Sequence, residues 1–204
     1  MLDRHVRPFI DPPLNAFGRR VAAAGLSANA VTTMGLMLGL AAAICVAVGA
    51  YGAALALILA SRLADGLDGA VARATRASDF GGYYDILADF VFYAAVPMGF
   101  IWADPGAHGL AGGALLAAFY VNAASFLGYA ILAEKHRLST SANGRKSWYH
   151  AGGLLEGTET IAFFVALCLF PAAFVPLAWV FAALCLVTAL ARLAVARDQF
   201  ADQG

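Results

Sequence analysis

Charge is scarce in this chain of 204 residues: Asp, Glu, Lys and Arg make up 13% of it, about half the ~25% of soluble domains. With 62% hydrophobic residues and a mean hydropathy of +0.75, an ordinary water-soluble domain is excluded and an integral membrane protein is indicated. Cysteine is sparse as well. Cys45, Cys168 and Cys185 each stand alone in an apolar run, without CxxC or Cys/His spacing, which excludes a disulfide framework or a thiolate metal site. A formal net charge of zero leaves no global basic field to recruit nucleic acid. The opening MLDRHVRPFIDPPLNAFGRR has no apolar h-region, so no cleaved secretory signal is expected.

What the chain has in quantity is long apolar runs. Stretches near the ~20 residues needed to cross a bilayer run from Val31 to Ala50, Ala53 to Thr75, Tyr83 to Ala103, Leu110 to Ala133, Gly152 to Phe170 and Ala172 to Ala196. The expected fold is an all-α integral membrane protein: six transmembrane helices over residues 31–204, preceded by an interfacial segment over residues 1–30. In that segment Phe9, Ile10, Leu14, Phe17 and Val21 alternate with Arg7, Arg19 and Arg20, a pattern suited to an amphipathic helix in the headgroup region. Gly35 and Gly39 form a GxxxG pair, expected to serve packing inside one bundle rather than a dimer seam.

The basic residues fix an orientation. Gaps GAYG, ADPGAHG and FPAAF carry no Lys or Arg. Arg4, Arg7, Arg19 and Arg20 precede the first span, and Arg62, Arg73 and Arg76 surround the second junction. Lys135, Arg137, Arg145 and Lys146 follow the fourth span, and Arg192 and Arg197 lie at the end. With six spans all fall on one side, so both termini are expected in the cytoplasm, in a cell (inner) membrane.

Against this background DGLDGAVARATRASDFGGYYDILAD, residues 65–89, is costly, because a charge in a membrane segment costs at least ~2.5 kcal/mol. Asp65 and Asp68 are three apart and Asp85 and Asp89 four apart, so each pair projects from one helix face. The two helices are sequential, expected as neighbours, and the carboxylates can converge. Four like charges need cations, and an oxygen-only set suits two Mg²⁺ or Mn²⁺ ions, which commonly hold phosphate oxygens. Gly69 and Ala72 clear backbone surface, Arg73 and Ser78 offer donors to phosphate, and Gly81 and Gly82 open the next helix. Taken singly, these residues fit ordinary packing, anchoring or hinge roles.

The pattern Asp65, Asp68, Gly69, Ala72, Arg73, seven residues, Gly81, Asp85, Asp89 resembles the signature of the CDP-alcohol phosphotransferase family, D-x2-D-G-x2-A-R followed by G-x3-D-x3-D. The resemblance implies a phospholipid-synthesising transferase. It would move a phosphatidyl group from a CDP-alcohol, expected to be CDP-diacylglycerol, to a small polar alcohol with release of CMP. It implies Asp65, Asp68, Asp85 and Asp89 as the site of two divalent ions, with Asp89 also the general base. Gly69, Ala72, Arg73 and Ser78 would bind nucleotide. The family's P-N-x-x-T stretch appears here as Ala28, Asn29, Thr32, which adds Asn29 and Thr32 to the nucleotide set while the proline is replaced. Asn29 as a helix cap is the plainer reading. A homodimer is implied only by the resemblance.

Acceptor choice is expected from Lys135, Glu156, Glu159 and Arg192. Acidic residues in LLEGTET repel phosphate and favour a non-phosphorylated acceptor such as an amino alcohol or choline, against which Lys135, Arg137 and Arg192 can still form an anion pocket. His5, His108, His136 and His150 are isolated. A divalent-cation or proton-coupled transporter is the competing class, since carboxylates in spans also mark ion pathways. Such a protein is expected to hold its charges near the midplane within repeated halves, and neither feature is legible here.

Overall fold

The computed structural model describes residues 3–136 and 157–201, and among these every regular element is helical. Helix α1 covers Asp3–Ala23, α2 Ala28–Ala47, α3 Tyr51–Ala74, α4 Asp79–Ala103, α5 Pro105–Lys135, α6 Gly157–Leu169 and α7 Phe174–Phe200, with a short 3-10 turn Pro171–Ala173 before α7.

Local chemistry explains the boundaries. Both α1 and α2 end in a glycine with a left-handed backbone, Gly25 at φ +87° and Gly49 at φ +76°. In each the glycine N–H and the next N–H donate back to carbonyls of the last turn: Gly25 to Ala22 and Leu26 to Val21, Gly49 to Val46 and Ala50 to Cys45. Such a Schellman closure satisfies carbonyls a helix end would otherwise orphan. At the starts, side chains of Ser27, Ser78 and Asp104 accept from the N–H groups of Ala30, Gly81 and Ala107. Pro105 follows at the first position of α5, where its missing N–H costs nothing.

Helices α2 to α7 fall on the six apolar stretches, but among the described residues only four segments are long and apolar enough to cross a membrane: α2, α4, α5 and Pro171–Phe200. Helix α3 has 24 residues, and it is interrupted by Arg62, Asp65, Asp68 and Arg73. Helix α6 has 13 described residues. Large apolar side chains such as Leu110, Tyr120, Ile131 and Leu190 face outward, a surface that lipid rather than water solvates.

The N-terminal segment is helical and docks on α3. A Cβ at Gly18 would come within 2.6 Å of the Ala70 Cβ, so the backbones touch there. Helix α2 is the hub of the N-terminal half. A Cβ at Gly35 would lie 3.2 Å from the Ala64 Cβ, one at Gly39 would lie 2.6 Å from the Phe92 ring, and Ser61 donates to the Gly35 carbonyl at 2.7 Å. The GxxxG pair therefore seats α3 and α4 inside one bundle. Helices α5 and α7 form a second pair, joined to the first through α4 and α6. Edge-to-face contacts of Phe92 with Phe164 (5.6 Å), Phe164 with Phe119 (6.3 Å) and Phe119 with Phe181 (5.9 Å) tie α4, α6, α5 and α7 together. Each adds ~0.5–1.5 kcal/mol beyond its buried area.

Helices α3 and α4 were expected to pack as sequential neighbours; instead each packs on α2 and they scarcely meet. The small residues of α2 let both helices approach it closely, and the carboxylates they carry disfavour contact with each other.

Candidate active site

The gap between α3 and α4, backed by α2, is where the carboxylates gather. Asp65 and Asp68 follow Arg62 along one stripe of α3, while Asp85 and Asp89 share a face of α4. Asp65 lies within electrostatic reach of both Asp89 and Asp85, and Asp85 within reach of Asp68 and Asp89, so the four share one neighbourhood. Asp68 is buried at 5% exposure and accepts a 2.6 Å hydrogen bond from the Thr32 hydroxyl on α2.

Arg62 also enters this gap. Its Nη1 donates to Asp89 Oδ1 at 2.6 Å and stands 3.4 Å from Asp65 Oδ1. Nη2 donates to Ser61 Oγ at 3.2 Å, and the guanidinium lies 4.0 Å from the Phe92 ring centroid. Reading the sequence for inside-face anchors missed this role. The available signal was Arg62 three residues before Asp65, on the same helix face.

The nucleotide candidates take varied places. Thr32 turns its hydroxyl to Asp68, and Ser78 caps α4. Asn29 does not cap α2, a role Ser27 takes; its Oδ1 lies where a Cβ on Gly81 would approach to 3.2 Å, beside Ser78. A Cβ on Gly69 would sit 3.2 Å from Arg73 Nη1, and Ala72 is half-buried one residue before Arg73. Arg73 donates through Nε and Nη2 to Asn15 Oδ1 at 3.2 and 2.9 Å. Beside it is a cavity of about 250 Å³ lined by Asn15, Arg19, Ala70, Arg73 and Ala74. Asn15 and Arg19 were not among the expected site residues, because their position depends on how α1 docks.

The acceptor candidates are more dispersed. Helix α6 starts near the cluster: a Cβ on Gly157 would lie 3.7 Å from the Tyr93 hydroxyl, one turn beyond Asp89, and Glu159 is in that first turn. Arg192 is buried between α5 and α7, where it donates to Asn122 Oδ1 at 3.1 Å and to Ser125 Oγ. Lys135 is exposed at the end of α5. Glu156, with Arg137, Arg145 and Lys146, lies outside the described residues.

Among the described residues no three His, Cys, Asp or Glu side chains close into a finished metal cage. The group reaching between Asp65 and Asp89 is the Arg62 guanidinium. Even so, the residues fit divalent cations. Asp85 Oδ1 is buried with no hydrogen-bond partner, and one guanidinium leaves three of the four carboxylates uncompensated. A buried acceptor of this kind calls for a donor or a cation, and hard oxygen donors without imidazole or thiol suit ions such as Mg²⁺ and Mn²⁺.

An oxygen-only carboxylate cluster and a guanidinium-lined cavity along the same helix α3, in a protein whose described residues form only helices, have the composition of an enzyme acting on phosphate esters. The chain belongs to the CDP-alcohol phosphatidyltransferase family, whose model matches residues 26–191. It is an enzyme that transfers a phosphatidyl group from a CDP-alcohol, and the transporter alternative is set aside. Among relatives, it is 49% identical over 193 residues to inner membrane protein YnjF of Escherichia coli (strain K12), covering 95% of this chain and 94% of that protein. The fold is similar to that of Mycobacterium tuberculosis phosphatidylinositol phosphate synthase (PgsA1) with CDP-DAG bound. There the TM-score is 0.72 at 21% identity, over 90% of this chain and 93% of that one. With the same enzyme in complex with manganese and citrate the TM-score is 0.65, over 89% and 88%.

Proposed function

We propose that this enzyme joins CDP-diacylglycerol to a small, non-phosphorylated polar alcohol, with Asp65, Asp68, Asp85 and Asp89 holding two divalent ions. The observation that carries the reading is the shared neighbourhood of the four carboxylates, with Asp85 Oδ1 buried and unpartnered. Bound there, divalent ions supply Lewis-acid stabilisation of charge on the pyrophosphate.

The chain's own residues perform the remaining tasks. Asp89 takes the proton of the acceptor hydroxyl as its oxygen forms a bond to phosphorus, and the phosphoanhydride bond breaks to release CMP with the bonding electron pair. Arg73, with Asn15 and Arg19 around the adjacent cavity, offers planar donors to the nucleotide. Gly69 leaves backbone open beside Arg73, and Asn29, Thr32, Ala72 and Ser78 border the same end of the bundle. Glu159 supports an uncharged or cationic acceptor, and its helix starts next to Tyr93.

All of α2 to α7 cross the membrane in this reading, α3 and α6 being shielded by their neighbours, and α1 lies along the cytoplasmic surface. The positive residues favour cytoplasmic termini and a cytoplasmic active site. An outer surface of apolar side chains offers lateral access for a lipid tail. Association as a homodimer belongs to the same proposal.

The assay is CMP release by purified protein with Mn²⁺ or Mg²⁺, CDP-diacylglycerol and, separately, serine, ethanolamine, choline, glycerol phosphate or inositol phosphate. Turnover is expected with an amino alcohol or choline and not with the phosphorylated pair. Turnover restricted to the phosphorylated acceptors would overturn the acceptor assignment, and release from CDP-choline or CDP-ethanolamine with diacylglycerol alone would overturn the donor.

A further inference from the structure

Arg62 lies outside the acidic signature, yet it makes the closest contact any cation makes with the cluster among the described residues. Its side chain is 9% exposed. Nη1 is shared between Asp89 and Asp65, Nη2 rests on Ser61, and the flat guanidinium covers the Phe92 ring. A position built from a carboxylate pair, a hydroxyl and an aromatic face suits a guanidinium far better than an ammonium.

We propose that Arg62 is a built-in counter-cation that occupies the carboxylate cluster in the metal-free enzyme and leaves Asp89 when divalent ions bind. The inference rests on the cluster being the divalent-ion site and goes beyond it by assigning the competitor. Four carboxylates brought together, with Asp68 buried and the other three half-buried, favour a positive charge among them. Arg62 supplies one on a long flexible stem, and the unpartnered Asp85 Oδ1 leaves room for more. While Arg62 Nη1 holds Asp89 Oδ1, that oxygen is already engaged as a hydrogen-bond acceptor and is not open to an acceptor hydroxyl. Metal loading and release of the base are thus coupled through one side chain.

A purely structural bridge from α3 to α4 makes a different prediction. Its loss lowers stability with or without metal and leaves metal affinity unchanged or weaker. Removing a competitor instead tightens metal binding.

The test is titration of nucleotide-free protein with Mn²⁺, following loss of the free-ion electron paramagnetic resonance signal, for wild type, Arg62→Gln and Arg62→Met. The methionine variant keeps an apolar stem over Phe92 and serves if a buried glutamine prevents folding. Both variants are expected to bind Mn²⁺ at least ~10-fold more tightly than wild type, the scale of one hydrogen bond to a charged group. Their melting midpoints without metal should fall, and Mn²⁺ should restore more of the midpoint than it adds to wild type. Binding by the variants alone also supports the competitor. Wild-type binding with equal or weaker binding by the variants overturns this inference and leaves the metal site standing. No uptake by any form overturns both.

Discussion

Replacing Asp89 by asparagine is expected to reduce turnover by ~10²–10⁴-fold, the usual contribution of a positioned general base, while CDP-alcohol binding stays near wild type. Asparagine has nearly the same shape and its Oδ1 can still accept from Arg62 Nη1, now 2.6 Å from the carboxylate. It cannot take a proton. The proposed nucleotide contacts are made by side chains on α1, α2, α3 and the start of α4 other than Asp89, so the two effects separate. Single-turnover CMP release and equilibrium binding of the CDP-alcohol, measured on the same preparation, check this. Lost binding with normal residual turnover would remove Asp89 from the role of base.

Gly39→Ala is expected to cause a large loss of stability from a single added methyl group. The new Cβ would lie 2.6 Å from Phe92 and 3.2 Å from the Ser61 hydroxyl. Phe92 cannot easily yield, since it is fully buried, packs edge-on to Phe164 and supports the Arg62 guanidinium. Overpacking of this kind costs ~1–3 kcal/mol, against less than ~1 kcal/mol gained from better helix propensity. The melting midpoint should drop and activity should drop with it, because the shift moves α4 and both its carboxylates. Gly52→Ala is the control: nothing lies within 4 Å of its added Cβ, so its midpoint should hold or rise. Equal midpoints for the two variants would show that α2 does not set the spacing of the site.

These particulars also show which features were legible in the sequence. The aspartate pattern stands out because charge within apolar helices is expensive and helical spacing dictates faces. The six helical stretches were legible for the same reason, and Gly25 and Gly49 close their helices where glycine is needed. Among the described residues four of the stretches have the length and apolarity to span, whereas α3 carries charges and the described part of α6 is short. Tertiary facts were harder to read. The seating of α3 and α4 on α2 rather than on each other depends on close approach at Gly35 and Gly39, which a GxxxG pair signals without naming the partner helix. Arg62 looked like one of several inside-face anchors, and only the placement of α4 turns it toward Asp89. Asn15 and Arg19 join the cavity through docking of α1 at Gly18 and Ala70, a contact that the polarity pattern of the segment does not reveal.

The central claim is that the aspartates of α3 and α4 form one divalent-ion site. Anomalous diffraction from crystals of the enzyme grown with Mn²⁺ and a CDP-alcohol tests it most directly. Two peaks about 4 Å apart, both in contact with Asp65, Asp68, Asp85 or Asp89 oxygens, with one reduced or lost in Asp85→Asn, are the expected result. Manganese found elsewhere, or absent while the CDP-alcohol is bound and turned over, would contradict the account.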